Sequence, residues 1–526
     1  MDYPTGHLSK LKEISSKRNL SSTIAILVSL AFIKLLIPFA VNSDFGFHRD
    51  EFLYMAMGDH LSWGYLEVPP FIAVVARITR WLFGDSIVGI RFFPALTGAV
   101  TLFLTGLIAR EMGGGRFAQI LSAVAYLLSV VYLRMNNLFQ PVTFDLFFFV
   151  LAVYLFIKIL KNDKPILWLL LGFVTGLGLL NKYTMLLFGF GIATGLLFTS
   201  CRRHFGNRWL WISASIAILI WLPNLVWQQA NGWPFFEHMR VLSERQLANV
   251  QPLTFLLVQM LMNLYAAPIW LIGLYFCLIS RDGKQFRPIG WMYLSLLIVL
   301  LFLAGKAYYL APAYPMLFAS GSVAIEKYIR VTMRNWLKPA ISCFVILGSI
   351  TMIPTGVPVF PVETMINFFK FGSKYLGMSE ALRWETGKFH ELPQDFADML
   401  GWEDLVVAVA KTYHSLSKEE KENCTILASN YGEAGAIDYY GGRYGLPKAI
   451  SQNGSYWLWG YQKNQGETII TIGFEEEDVA NFCNRVEAGA EFYYPHARED
   501  GVPIFIARDP KISLQELWEI LKRYRY

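Results

Sequence analysis

Apolar stretches close to the roughly 20 residues that a helix needs to cross a bilayer core recur along this chain and leave it few folds to choose from. They fall at Ser21–Val41, Val88–Ala109, Phe117–Leu133, Pro141–Ile157, Pro165–Leu180, Tyr183–Thr199, Trp209–Trp227, Leu253–Ile279, Pro288–Ala304, Ala307–Ile325 and Pro339–Val357. Where lipid replaces water, a segment of this kind must satisfy its backbone hydrogen bonds internally, so each reads as a helix. The pattern predicts an α-helical polytopic membrane protein with about eleven spans. Composition agrees: 54% of the 526 residues are hydrophobic and 16% charged, against roughly 25% charged in ordinary soluble domains. The net charge of +6 is carried by clusters between the apolar runs, with no continuous basic stripe, and no nucleic-acid partner is expected. Five cysteines are too few for a disulfide framework, although Cys424 and Cys483 share the polar C-terminal region, where one bridge is conceivable. Lys10, Lys12, Lys17 and Arg18 lead into the first apolar run without a small-residue cleavage site, which reads as a retained helix.

Lys and Arg accumulate on the cytoplasmic side of membrane proteins, and here they collect on alternate connections. Arg110 with Arg116, Lys158 with Lys161 and Lys164, Arg202 with Arg203 and Arg208, Arg281 with Lys284 and Arg287, and Lys327 with Arg330, Arg334 and Lys338 form one set with the N-terminal segment. The other set holds the two long connections Asn42–Ile87 and Gln228–Pro252 and everything after Val357. The expected placement is the inner (plasma) membrane, with those segments extracytoplasmic. Residues 1–357 are then a membrane domain with its first outer loop at 42–87, residues 358–379 a linker, and residues 380–526 a soluble α/β domain. Within the last, Cys424–Asn430, Glu467–Gly473 and Val502–Arg508 read as strands. Gly432–Tyr440, Glu476–Val486 and Ser513–Tyr524 read as helices, the last capped by Ser513.

The chemistry-bearing residues gather at the expected outer level. Asp50 and Glu51 stand in the first loop, and Asp145 lies inside an apolar run about one turn from its end. An acid at that depth is expensive and is a functional candidate by default, with structural pairing to Arg134 or Arg91 as the alternative. Arg91, Arg134, Lys182, Lys306, Tyr308 and Tyr309 sit at the same level and are the donors a phosphate headgroup requires, although each alone is an ordinary interfacial anchor. Lys34 reads as a snorkelling side chain with no assigned role. Tyr456, Trp457 and Trp459 are read either as sugar-stacking residues or as the core of a small domain, and Trp227–Pro234 either as a cavity rim or as an interfacial belt.

Four motifs occur in order: the Asp50-Glu51 pair, Gly64-Tyr65 running to Pro69-Pro70, Arg91-Phe92-Phe93-Pro94-Ala95, and Lys306-Ala307-Tyr308-Tyr309. With them the chain resembles the GT-C glycosyltransferases of the dolichyl-phosphate-mannose protein mannosyltransferase superfamily, bacterial branch, and more distantly the aminoarabinose transferases of lipid A. The resemblance implies a transferase that takes sugar from a polyprenyl-phosphate carrier and passes it, with inversion, to an envelope lipid, glycan or protein. It further implies that Asp50 is the catalytic aspartate, Glu51 and Asp145 companion acids, and Lys306 the group nearest the carrier phosphate. The aminoarabinose transferases carry Glu-Lys-Pro where this chain has Glu67-Val68-Pro69. Their phosphate-contacting lysine is therefore absent, which leaves the donor sugar open and makes Glu67 a weak metal candidate. No cofactor is expected to be required, and a divalent metal stays an open alternative. Asn430–Ala436 and Tyr456–Gly460 resemble a soluble domain appended to some bacterial members, with no role attached. A polytopic transporter or lipid flippase, or a polysaccharide-binding assembly protein, would also accommodate charged groups beside membrane spans.

Overall fold

The computed structural model describes residues 5–41, 43–245, 251–461 and 467–525, with side chains from residue 21 onward except at 245. The basic side chains of Lys10, Lys12, Lys17 and Arg18 lie outside the described residues, as do Asn42 of the first loop and residues 246–250 of the second long connection. Internal contacts divide the chain into two compact units. One comprises Met1–Ala40, Arg91–Val226 and Arg245–Val357, and the other Val41–Ile90, Trp227–Glu244 and Pro358–Tyr526. The first loop, which the sequence attaches to the membrane domain, thus groups with the C-terminal residues.

In the first unit every apolar stretch is helical for most of its length. Among the described residues, five helices are long and apolar enough to cross a membrane, namely Ser21–Ala40, Ile87–Glu111, Pro141–Lys161, Arg208–Ala230 and Lys284–Phe302. Two pairs bent by 115° and 83° raise the number to seven, whereas the sequence suggests about eleven. Shorter apolar helices, Arg116–Leu128, Pro165–Asn181 and Leu337–Ile350, accompany them, and breaks within the apolar runs have local causes. Phe117–Leu133, for instance, divides into helices Arg116–Leu128 and Val130–Met135 at Ser129, whose ψ of 128° is extended and whose hydroxyl donates to the Ala125 carbonyl at 2.7 Å, a side-chain bond that competes with the helical ladder.

Apolar surface cannot drive helix association in lipid, so packing and polar contacts carry it. Tyr132 Oη donates to the Ala311 carbonyl at 2.8 Å, and Tyr314 Oη donates to Gln259 Oε1 at 2.8 Å. Asn181 Nδ2 donates to the Pro141 carbonyl at 2.9 Å. Lys34 is 1% exposed and donates to the Tyr132 carbonyl at 2.8 Å. It does not snorkel outward, because an acceptor on a neighbouring helix lies within its reach.

The second unit holds a five-stranded sheet: β1 (Cys424–Ala428), β2 (Ala449–Ser451), β3 (Thr468–Ile472), β4 (Cys483–Ala488) and β5 (Ile504–Pro510), in the order β2-β1-β3-β5-β4. β1 runs parallel to β2 and β3, with Ile426 opposite both Ala449 and Ile470, while β5 is antiparallel to β3 and β4. β1 and β3 are buried throughout, as strands covered on both faces must be. Leu514, Leu517, Trp518 and Leu521 form the buried stripe of the terminal helix, at helical spacing. Ser513 caps that helix as expected, in a reciprocal box with Glu516.

Two expectations change, and two helices appear that the sequence did not announce. The helix at Glu476–Val486 stops at Phe482, and Cys483–Ala488 becomes the edge strand β4, whose exposed Asn484, Arg485 and Glu487 gave it no strand-like pattern. The linker 358–379 contains the helix Val362–Tyr375, which buries Met365, Ile366 and Phe369. A further helix, Trp402–Ser415, precedes the sheet. Cys424 and Cys483 are free and buried. They lie on strands separated by β3 and β5, about three spacings of roughly 4.8 Å, beyond the reach of a disulfide.

Candidate functional site

The helix Arg49–Asp59 places the first-loop acids. His48 is its N-cap: the imidazole Nδ1 accepts the Asp50 N–H at 3.1 Å, and Glu51 accepts the His48 N–H at 2.8 Å. Acids in a first turn also face the positive end of the helix dipole. Glu51 is fully buried, so the second of the paired acids is engaged in holding the helix start. Asp50 keeps 30% of its side chain exposed.

Asp50 Oδ1 accepts the hydroxyl of Tyr431 at 2.8 Å. Tyr431 is the first residue of the helix Tyr431–Tyr440, whose N-cap Asn430 accepts the N–H groups of Gly432 and Glu433 at 2.9 and 3.1 Å. The two helices approach closely because glycine faces the contact. A Cβ on Gly432 would lie 2.5 Å from Arg49 Cγ, and one on Gly435 would lie 2.5 Å from Phe52 Cβ. The Arg49 guanidinium rests 4.5 Å above the Tyr431 ring, a cation–π arrangement. The Gly-x-x-Gly spacing within Asn430–Ala436 was the sequence signal for this contact, and it named no partner.

Burial pushes the Asp50 carboxyl up, but Arg49, the Tyr431 hydrogen bond and Arg498 together hold it below its ordinary range. Nearby, Asp398 shows the opposite balance: its burial outweighs Arg498 and Arg49, and its carboxyl is raised.

His48, Asp395 and Asp398 are the one group of potential metal ligands found among the described residues, with His48 Nε2 3.8 and 3.6 Å from the two carboxylates. The donor set does not fit a cation. The Asp50 N–H can only donate, so Nδ1 carries the lone pair and the proton of a neutral ring sits on Nε2. Arg498 already faces Asp398 at 3.2 Å. Glu67, the weak metal candidate, is engaged elsewhere: Ser455 donates to it through its backbone N–H, at 2.8 Å, and through its hydroxyl. Burial, the dominant influence, raises the Glu67 carboxyl.

The aromatic residues of Tyr456–Gly460 are used in packing. Tyr456 is buried and donates to Asp438 at 3.0 Å, Trp457 packs against the core, and Trp459 stacks on His60 at 4.3 Å.

In the other unit, the helix Pro141–Lys161 carries Asp145, which is 5% exposed, with Oδ1 buried and unbonded. Its electrostatic partner is Lys182, not Arg134 or Arg91. Lys182 ends the helix Pro165–Asn181 as its C-cap, and its ammonium lies 5.3 and 5.0 Å from the rings of Tyr308 and Tyr309. Those rings meet edge to face at 4.8 Å. Lys306 precedes their 3-10 turn and repels Lys182. Five of the expected residues, Asp145, Lys182, Lys306, Tyr308 and Tyr309, are therefore neighbours. Arg134 is exposed in the last turn of Val130–Met135, and Arg91 is 2% exposed at the start of Phe92–Glu111. Tyr431, supplied by the C-terminal residues, is the partner that sequence reasoning missed.

Comparison with known proteins bears on this arrangement. Residues 67–227 match the family described as dolichyl-phosphate-mannose-protein mannosyltransferase. The fold is similar to ArnT from Cupriavidus metallidurans, solved bound to undecaprenyl phosphate. That match has a TM-score of 0.59 at 14% identity and covers 93% of this chain and 97% of ArnT. It is also similar to the archaeal oligosaccharyltransferase AglB from Archaeoglobus fulgidus, solved with an inhibitory peptide and a dolichol-phosphate, at a TM-score of 0.50, 12% identity, and 85% and 69% coverage. A protein of Aquifex aeolicus (strain VF5), described as uncharacterized, is 29% identical over 133 residues, and the match spans about a quarter of each chain.

Proposed function

From a chain with the GT-C glycosyltransferase fold and a segment matching the dolichyl-phosphate-mannose-protein mannosyltransferase family, we propose an enzyme that transfers a sugar from a polyprenyl-phosphate carrier to an envelope acceptor on the outer side of the membrane. The observation that carries this reading is Asp50, a partly exposed carboxylate that cationic and hydrogen-bonding neighbours keep ionised. The acceptor hydroxyl attacks the anomeric carbon in a single displacement, the bond from that carbon to the phosphate oxygen breaks, and polyprenyl phosphate departs with inversion. Asp50 takes the hydroxyl proton. A carboxylate held below its usual range is a weak base, so this transfer comes late, once the attacking oxygen has turned acidic, and contributes about 10²–10⁴-fold. Where the acceptor is itself a phosphate there is no proton to remove, and Asp50 orients the reactants.

The departing phosphate needs positive charge and donors already in place. Lys182 and Lys306, with the hydroxyls of Tyr308 and Tyr309, are that type of group, gathered around the buried Asp145. Asp145 acts on Lys182 and keeps the ammonium oriented. This is electrostatic work by the chain's own residues, and no step is assigned to a metal.

A transporter would also show broken helices, and two bent pairs are present, but the fold shared with ArnT over 93% of the chain favours the transferase. The test compares lipids and surface glycans by mass spectrometry in cells with the protein, without it, and with Asp50→Asn. The expected result is one glycosylated species that is lost in the deletion and stays lost with the folded variant. Full restoration by Asp50→Asn would remove the role assigned to Asp50.

A further inference from the structure

Tyr431 donates its hydroxyl to the Asp50 carboxylate, and the contact is built from both sides. The Asn430 cap aims the first turn of Tyr431–Tyr440, the absence of side chains at Gly432 and Gly435 lets that turn reach the Arg49–Asp59 helix, and Arg49 lies across the Tyr431 ring. One aromatic side chain thereby touches two adjacent residues of the loop in different ways, through its hydroxyl edge and through its face.

We propose that Tyr431 is a positioning residue for Asp50, its hydroxyl fixing the direction of the carboxylate and its ring fixing Arg49, so that the C-terminal domain completes the proton acceptor of the transfer reaction. The proposal rests on the functional reading given above. It assigns a role to the Asn430–Ala436 segment: to deliver one phenol to the first loop. A carboxylate with one oxygen bound to a phenol has lost freedom to rotate, and preorganisation of this kind is what a weak base needs to contribute at all.

The groups acting on Asp50 from each packed element are His48 and Arg49 of its own helix, Tyr431, Arg498, and the carboxylates Asp398 and Glu67. A hydrogen bond to the ionised form favours it, so removing the Tyr431 hydroxyl raises the carboxyl's pKa. The acidic limb of activity, where the base is lost as pH falls, then moves to higher pH.

Two measurements on the full-length protein test this. In the first, aspartate is labelled with carbon-13, and infrared titration of the protein in nanodiscs, wild type minus Asp50→Asn, isolates the Asp50 carboxylate band without any substrate. Tyr431→Phe, which keeps the ring beneath Arg49, is expected to raise the midpoint by about one pH unit. In the second, formation of the species found by mass spectrometry is followed with pH. Tyr431→Phe is expected to lower the maximal rate about tenfold and to move the acidic limb by the same amount, with half-saturation for the donor unchanged. A folded Tyr431→Phe protein with an unaltered Asp50 midpoint would overturn the proposal. A shifted midpoint combined with full activity of Asp50→Asn would instead overturn the catalytic reading while leaving the contact itself established.

Discussion

Asp438 shows how far a single side chain can be displaced from its solution behaviour. Burial pushes its carboxyl up to about 6, against the opposing pull of Lys448, the Ala449 N–H and the Tyr456 hydroxyl. In the unfolded chain the same group ionises near its ordinary value of about 4, so between those two pH values the folded protein binds more protons. Stability therefore falls as pH rises through that window and levels off above it. Asp438→Asn, which has no proton to lose, is expected to reduce the slope of the unfolding midpoint against pH between about 4 and 6. Thermal unfolding in detergent across that range is the check, and an undiminished slope would show that burial is not what raises this group. Asp50 could be found in the sequence because an acidic pair just after an apolar run stands out in a local window. Tyr431 could not, because 381 positions separate it from the residue it bonds.

At the scale of elements, the contact between Arg49–Asp59 and Tyr431–Tyr440 depends on backbone proximity. Overpacking a close contact costs about 1–3 kcal/mol, and a side chain at Gly435 meets Phe52 at once. Gly435→Val is expected to lower the unfolding temperature and to weaken transfer. Gly442→Ala, at a position with open space around it, is the control and should leave both alone. Equal behaviour of the two variants in a thermal melt would mean that the helices are held by something other than their close approach. Element types were legible wherever the apolar pattern was strong: β1, β3, β5 and the terminal helix lie where the pattern put them. β4 and β2 were not legible. One is an exposed edge strand and the other spans three residues, so neither carries a repeating apolar signal long enough to read.

For the molecule as a whole, the division into units makes the first loop dependent on residues far along the chain. Phe52 meets Trp402 at 5.5 Å, Tyr439 at 5.9 Å and Tyr440 at 6.0 Å, and Gly46 donates its N–H to the Met399 carbonyl at 2.9 Å. A chain ended after Val357 loses all of these partners. Limited proteolysis is expected to cut the truncated protein within residues 43–90 while the intact protein resists there, and equal resistance would show that the loop folds without the C-terminal residues. By itself the amino-acid sequence determined the apolar, membrane-like class, the helical character of each apolar run, a resemblance to GT-C enzymes and the acids worth testing. A bilayer imposes its demands on each short segment separately, and ordered motifs survive in linear text. Tertiary structure alone decided that Glu51 caps a helix, that Lys182 is the partner of Asp145, that Glu67 is held by Ser455, and that Asp50 receives a phenol from the far end of the chain. Each of those pairings is a choice among many chemically equivalent partners, and it is made by where the packed backbone leaves room.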